Sequence, residues 1–441
     1  MHRSKKLFAA LFTLATLPSL LMAQSEGKHG FPAVLDRPAE LPKSTIELPG
    51  DIGVRAHTAH LILVRPSKAE FSFRSSIPVG ETPGSLACLY QTSTASLSSG
   101  CPITGKVASG NNGLPNPVGG SRIIAIVDAY HYKTAYNDLS KFSKQFGLPA
   151  LQSCSGPPVG SNCFVQVYAT GKQPAGNSSW NLEAALDIEW AHAMAPGASI
   201  VLVEAASASI SDLLYAVSVA GTIVQNGGGG EVSMSWGGSE FSTESSDDSY
   251  FEASGVVYFA AAGDSGGQTL YPSVSPNVVS AGGTTVNRNS SGHFVSETAW
   301  SGGGGGPSAY ESVPTYQSPL GTLVNGKRGT PDFSFDANPN TGVWVYDSTS
   351  YEGESGWWII GGTSVASPSL AGIVNLTGEF YTSSNLELTT IYSICGSGPA
   401  TDCIDASEFR DITSGSAGRH SAATGWDLTT GLGSSLGRSG K

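Results

Sequence analysis

The sequence predicts an α/β fold: a doubly wound, mostly parallel sheet with helices on both faces. Three observations carry this. Apolar runs such as residues 123–127 read as strands buried on both sides. Helical patterns alternate with these runs from Arg122 onward. Asp128 and the Gly-Asp-Ser-Gly turn around Asp264 each follow a strand directly, at the sheet edge where folds of this kind keep their sites.

Taken in order, the chain opens with Arg3, Lys5 and Lys6 ahead of an apolar run, residues 7–23, broken by Pro18. Residues 1–23 are therefore expected to be a secretory signal peptide, and the mature protein to be secreted and extracellular. No later run is long enough to span a bilayer, so no membrane association is expected after cleavage. Residues 24–118 form an N-terminal extension or short prosegment, poor in regular pattern. Alternation at 60–64 and 71–73 suggests short strands. The stretch 109–120, rich in Gly, Asn and Pro, reads as a linker and a region open to cleavage.

The main domain, residues 119–441, begins with the strand at 123–127. Leu139, Phe142 and Phe146 mark a helix closed by Gly147. A helix from about 180 to 195 ends at Pro196-Gly197. Strands are expected at 200–203, 232–235 and 256–261, with a helix at 212–225 between the first two. The glycine runs 227–230 and 302–306 are loops; the first lacks a P-loop lysine and the second lacks a following helix. Residues 357–360 read as a buried strand leading through Gly361-Gly362 into a helix carrying Leu370, Ile373 and Val374.

Charge is scarce, 13% of residues, and the balance is acidic at −12. Few ion pairs means few to lose when carboxylates protonate, which suits a protein exposed to acid. With no basic patch, nucleic acid is not expected as a partner. The six cysteines fall as local couples, 88/101, 154/163 and 395/403. Closure of short loops favours that sequential pairing, and an exported chain permits it. No Cys-x-x-Cys or nearby histidine supports zinc.

Four places carry chemistry. Ser364, in Gly-Thr-Ser-Val-Ala-Ser-Pro, sits on a glycine turn at a helix N-terminus, where free N–H groups favour negative charge; the plain alternative is an N-cap serine. Glu183 and Asp187 lie at i and i+4 on one helix face, and such a pair in low dielectric can hold a single proton; the plain alternative is a solvated acidic face. Asp264, if protonated, can donate to a developing oxyanion; alternatively it closes an Asx turn. Asp411-Ile412 and the loop Ala423–Asp427 combine carboxylates with carbonyls in a mixture that suits calcium; alternatively the aspartates cap turns. Of the eight histidines, none stands where an Asp-His-Ser arrangement would need it.

These motifs, in this order, resemble the sedolisins, the serine-carboxyl peptidases of subtilisin-like fold. Further similar runs are Ser233-Met-Ser-Trp236-Gly237 and Arg328-Gly-Thr-Pro-Asp332, and the resemblance covers residues 121–436. It implies a secreted endopeptidase acting on proteins or peptides at acidic pH, as a monomer, with one structural Ca2+. Ser364 matches the nucleophile, Glu183 its general base, Asp187 the partner sharing the proton, and Asp264 the oxyanion-hole acid beside the Ser364 N–H. Asp411 and Asp427 match calcium carboxylates, and Ile412, Ala423 and Gly425 the carbonyl positions, although the family more often has glycine at Ala423. Trp236 stands where some members place an aromatic near the glutamate, and Asp128 where some extend the acidic network. One departure is that family members carry a long inhibitory prosegment, whereas only residues 24–118 are available here. The alternatives are a catalytically silent, calcium-stabilised secreted binding protein on this fold, and a histidine-dependent subtilisin using Asp128.

Overall fold

The computed structural model describes residues 39–65, 80–103, 110–156 and 162–437. Residues 1–23, expected to be a signal peptide, and the expected strand at 71–73 lie outside them. The central sheet is mostly parallel. From one edge, Gln152–Ser153, Cys163–Tyr168, Ser199–Ala205, Ile123–Ala129, Gly230–Met234, Val256–Ala261, Val279–Arg288, Phe333–Asp336 and Ser434–Ser435 pair in parallel. Phe409–Arg410 and Phe294–Ala299 add antiparallel neighbours. Ile123–Ala129 is the switch point: the chain builds one half of the sheet on one side of it and the other half on the opposite side. Clefts at strand C-termini open at such a point.

Alternation along Ile123–Ala129 explains the two cores. Ile124 and Ile126 point into the cluster that holds Leu182, Leu186, Val365 and Leu370. Ile123, Ala125 and Val127 point into the cluster with Leu213, Val217 and Val224. The helices Ala135–Phe146, Ser178–Met194 and Thr363–Thr377 thus cover one face and Ile210–Asn226 the other, which is the doubly wound arrangement.

Ser178–Met194 is the central helix. Asn177 caps it, its side chain accepting from the N–H groups of Ser179 and Trp180, a cap worth about 1 kcal/mol. From Ser179 to Met194 every residue is buried, including the ionisable Glu183, Asp187, Glu189 and His192. It packs tightly on Thr363–Thr377: a Cβ on Gly372 would lie 2.7 Å from the Met194 Cβ. That close approach joins the helix of Glu183 to the helix of Ser364.

Residues before 119 pack into the same molecule. Leu86, Leu89 and Tyr90, in and after the helix Pro83–Leu89, belong to the main core. Buried Arg288 holds Glu81 through its Nε and Nη2. The segment 39–65 wraps the C-terminal edge of the sheet: Ser44 binds Ser179, Glu47 accepts from Ser239, and Ile62 exchanges hydrogen bonds with Glu40. The three disulfides are Cys88–Cys101, Cys154–Cys163 and Cys395–Cys403, the sequential pairing expected. Among the described residues, no helix is long and apolar enough to cross a membrane.

Candidate active site

The strand Glu354–Gly361 leads through Gly362 into the helix Thr363–Thr377, so Ser364 stands in its first turn. Gly362 has φ +113°, and a Cβ there would meet the Ala59 carbonyl oxygen at 2.3 Å and Asp264 Oδ2 at 2.5 Å. Only glycine fits this conformation and this crowding. Ser364 is fully buried; its Oγ donates to the Ser235 carbonyl at 3.3 Å and its N–H to the Ala59 carbonyl at 2.9 Å.

Asp264 follows the strand Val256–Ala261. Its Oδ1 accepts from the Thr363 N–H at 2.8 Å and the Thr363 hydroxyl at 2.9 Å, so the carboxyl is tied to the turn that carries Ser364. Oδ2 is buried with no partner. Burial, opposed by those two bonds and reinforced by Glu183, pushes Asp264 up to about 8. The neutral acid, a hydrogen-bond donor, is therefore its state in acid. The glycine run 302–306 walls this loop: Gly304 N–H donates to the Gly263 carbonyl, and Gly266 and Gly267 donate to Gly302 and Gly303.

Glu183 and Asp187 are both fully buried, which sets aside the solvated-face reading. Asp187 Oδ1 accepts from Ser235 Oγ at 2.8 Å, and its Oδ2 has no partner. Asp128 is buried with neither oxygen paired. Burial first, then mutual repulsion, raises Asp128 and Asp187 well above the usual carboxylate range: Glu183 and Glu204 act on Asp128, and Asp128 and Glu183 on Asp187. Repulsion of this kind disfavours ionising Asp128 and Asp187 together. Trp236 is buried on the opposite core, its indole N–H donating to the Val127 carbonyl at 2.8 Å, which fixes the strand next to Asp128.

One histidine, unsignalled by any motif, lies against the acidic pair. His60, fully buried, touches Glu183 Oε2 through its Nδ1. Ala59 and Ser235 were equally unforeseen. The alternation at 60–64 signalled a strand but nothing of its partner. No hydrogen bond joins His60 to Ser364 Oγ among the described residues.

At the far end of the domain, Gly425 N–H donates to Asp411 Oδ1 at 3.2 Å and Ala423 N–H to Asp427 Oδ2 at 3.0 Å. Asp427 also accepts from Thr429 and Thr430. Asp411 is raised by burial and by Asp427. The carbonyls of Ile412, Ala423 and Gly425 accept no bond from the described residues. Two neighbouring carboxylates and free carbonyls are a donor set that fits a hard cation. No cluster of three acidic, histidine or cysteine ligands occurs among the described residues.

A mostly parallel sheet, a serine in the first turn of a helix and acidic side chains at the strand ends define a subtilisin-like α/β fold. The solved structure of a Pseudomonas sedolisin, a serine-carboxyl proteinase complexed with two molecules of pseudo-iodotyrostatin, shares this fold. It matches with a TM-score of 0.62 and 24% identity, over 82% of this chain and 96% of that one. The chain resembles the sedolisin family. It is 34% identical to sedolisin of Pseudomonas sp. (strain 101) over 212 residues, 45% of this chain and 33% of that protein. It is 29% identical to kumamolisin of Bacillus sp. (strain MN-32) over 428 residues, 86% of this chain and 66% of that protein. The chain thus spans less than two thirds of the length of these curated relatives. No family model matches it.

Proposed function

We propose that this chain is a secreted serine-carboxyl endopeptidase that hydrolyses peptide bonds in proteins at acidic pH. One observation carries the reading: a peptide carbonyl, that of Ala59, accepts from the Ser364 N–H and lies against the same glycine as the unpartnered Oδ2 of Asp264. That is how an oxyanion hole receives a carbonyl.

In the reaction, Ser364 Oγ attacks the substrate carbonyl carbon and Glu183 takes its proton. Asp187 shares that proton, with Asp128 extending the network. The Ser364 N–H and protonated Asp264 hold the negative oxygen. The amine leaves with a proton from the Glu183–Asp187 pair. Water activated by the same pair then releases the acyl group from Ser364. Trp236 opens the strand that follows Ser235, the hydroxyl bound to Asp187.

One structural calcium ion is proposed, held by Asp411 and Asp427 with the carbonyls of Ile412, Ala423 and Gly425. Bound there, it would offset the repulsion of the two carboxylates and stiffen the loop. Residues 1–23 are proposed as the signal peptide, residues 119–441 as the peptidase domain, and the mature protein as a monomer.

The test is overnight incubation of the purified protein with a denatured protein substrate in acid. Peptide release by the wild type, absent in Ser364→Ala, is expected. A folded wild-type protein that releases nothing would instead favour a silent binding protein.

A further inference from the structure

We propose that Glu204 is a positioning residue for the catalytic carboxyls: it takes the first negative charge in a row of buried acids and so keeps the proton on Asp128, next to Asp187 and Glu183. The inference rests on the peptidase reading above. Its basis is the register of three strands. Ile123–Ala129 and Ser199–Ala205 pair in parallel with Asp128 opposite Glu204, and Cys163–Tyr168 adds Tyr168 opposite Glu204. Register partners put their side chains on one face of a sheet. Here it is the face of Ile124, Ile126, Ile200 and Leu202, which the helix Ser178–Met194 covers. The row therefore runs from Tyr168 through Glu204 and Asp128 to the Glu183 and Asp187 of that helix.

The two neighbours in the middle of the row are bonded in opposite ways. Glu204 Oε1 accepts from the Tyr132 N–H at 2.8 Å and from Gln166 Nε2, and His131 Nδ1 lies 2.9 Å from its Oε2. Asp128, opposite it and equally buried, has no partner on either oxygen. Several N–H donors favour a carboxylate anion, whereas burial without donors favours the acid. As pH rises, the first charge in the row thus settles on Glu204, and its repulsion holds the proton on Asp128. The titratable groups facing Glu204 are Asp128, His131 and Tyr168; those facing Asp128 are Glu204, Glu183 and Asp187. Burial raises Asp128, with Glu183 and Glu204 adding to it. Burial also raises Glu204, but Tyr132, His131 and Gln166 oppose it there. Fixing the turn at His131–Tyr132 would account for the donors around Glu204. It would not account for an unpaired acid placed opposite them.

The experiment measures kcat/KM for casein with the full-length protein from about pH 3 to about pH 8. Glu204→Gln keeps the shape of the side chain and takes no charge, which frees Asp128 to ionise earlier. Activity should be unchanged at the acid end and be lost about one to two pH units lower than in wild type, the effect of removing one unit charge from a neighbouring strand. Gln166→Met removes a donor from Glu204 without changing any charge, and should move the loss in the same direction by less; it decides the matter if the buried Glu204 variant does not fold. In protein isotope-labelled at aspartate, the carboxyl resonance of Asp128 should titrate lower in both variants, a readout that needs no turnover. An Asp128 resonance that titrates as in wild type, or activity lowered by one factor at every pH, overturns the inference and leaves the peptidase reading standing. A folded wild-type chain that does not cut casein, with the Asp128 shift present in the variants, overturns the peptidase reading instead.

Discussion

The backbone N–H of Ser364 and the carbonyl oxygen of Ala59 form a 2.9 Å hydrogen bond across the mouth of the central sheet. It holds a peptide carbonyl beside the proposed nucleophile, Ser364, and the proposed oxyanion donor, Asp264. The consequences can be measured one residue at a time.

Glu183→Gln keeps the shape of a fully buried side chain and removes the group proposed to take the serine proton. Hydrolysis should fall by about 10²–10⁴, the usual contribution of a general base, with far-ultraviolet circular dichroism unchanged. Activity within threefold of wild type would remove Glu183 from its role.

Asp264→Ala should cost about 10²–10³ in kcat, as loss of one oxyanion donor does. Asp264→Asn separates donor from titration. The amide offers an N–H at every pH, so the loss of activity above about 8, where burial now places the Asp264 carboxyl, should disappear from kcat profiles of that variant. An alkaline limb unchanged in Asp264→Asn would assign that limb to another group.

Stability should be highest in acid. Asp264 is raised to about 8, Glu244 to about 9 and Glu311 to about 7, in each case mainly by burial. Asp128, Asp187 and Glu189 are raised well above their ordinary values for the same reason. A carboxyl raised on folding favours the folded state fully below its unfolded value. That contribution fades as pH climbs and is gone once pH passes the folded value. Melting temperature should therefore decline from about pH 4 to about pH 8. A rise over that interval would contradict the protonated carboxyl cluster.

Chelation tests the loop of Asp411 and Asp427. Removing a calcium ion present at about a hundred times its Kd costs about 2.7 kcal/mol, which lowers the melting temperature by about 3 °C for a chain of this length. Asp427→Ala should show the lower value with or without chelator. An unchanged melting temperature on chelation removes calcium from the account.

How far the sequence reveals this site depends on the distance over which each contact acts. The i,i+4 spacing placed Glu183 and Asp187 on one face, and the glycine turn placed Ser364 at a helix start, because both are local. Whether the Glu183 face met water was not local: it depended on Gly372 letting another helix lie against Met194. His60 reaches Glu183 from 123 residues away, through strands only two and four residues long. Such short strands carry almost no periodic signal, and their partners are chosen by tertiary packing. Scarce charge implied few ion pairs. It did not suggest that the ion pair Arg328–Asp332 would be fully buried, because pairing inside the core depends on side chains meeting in space.

The most direct test of the central claim, a serine served by carboxyls that hold protons, is the pH dependence of kcat/KM on a mixed peptide library read by mass spectrometry. The account predicts a maximum in acid and loss of activity as pH rises and Asp187, raised by burial, gives up its proton. A maximum at neutral or alkaline pH would contradict it.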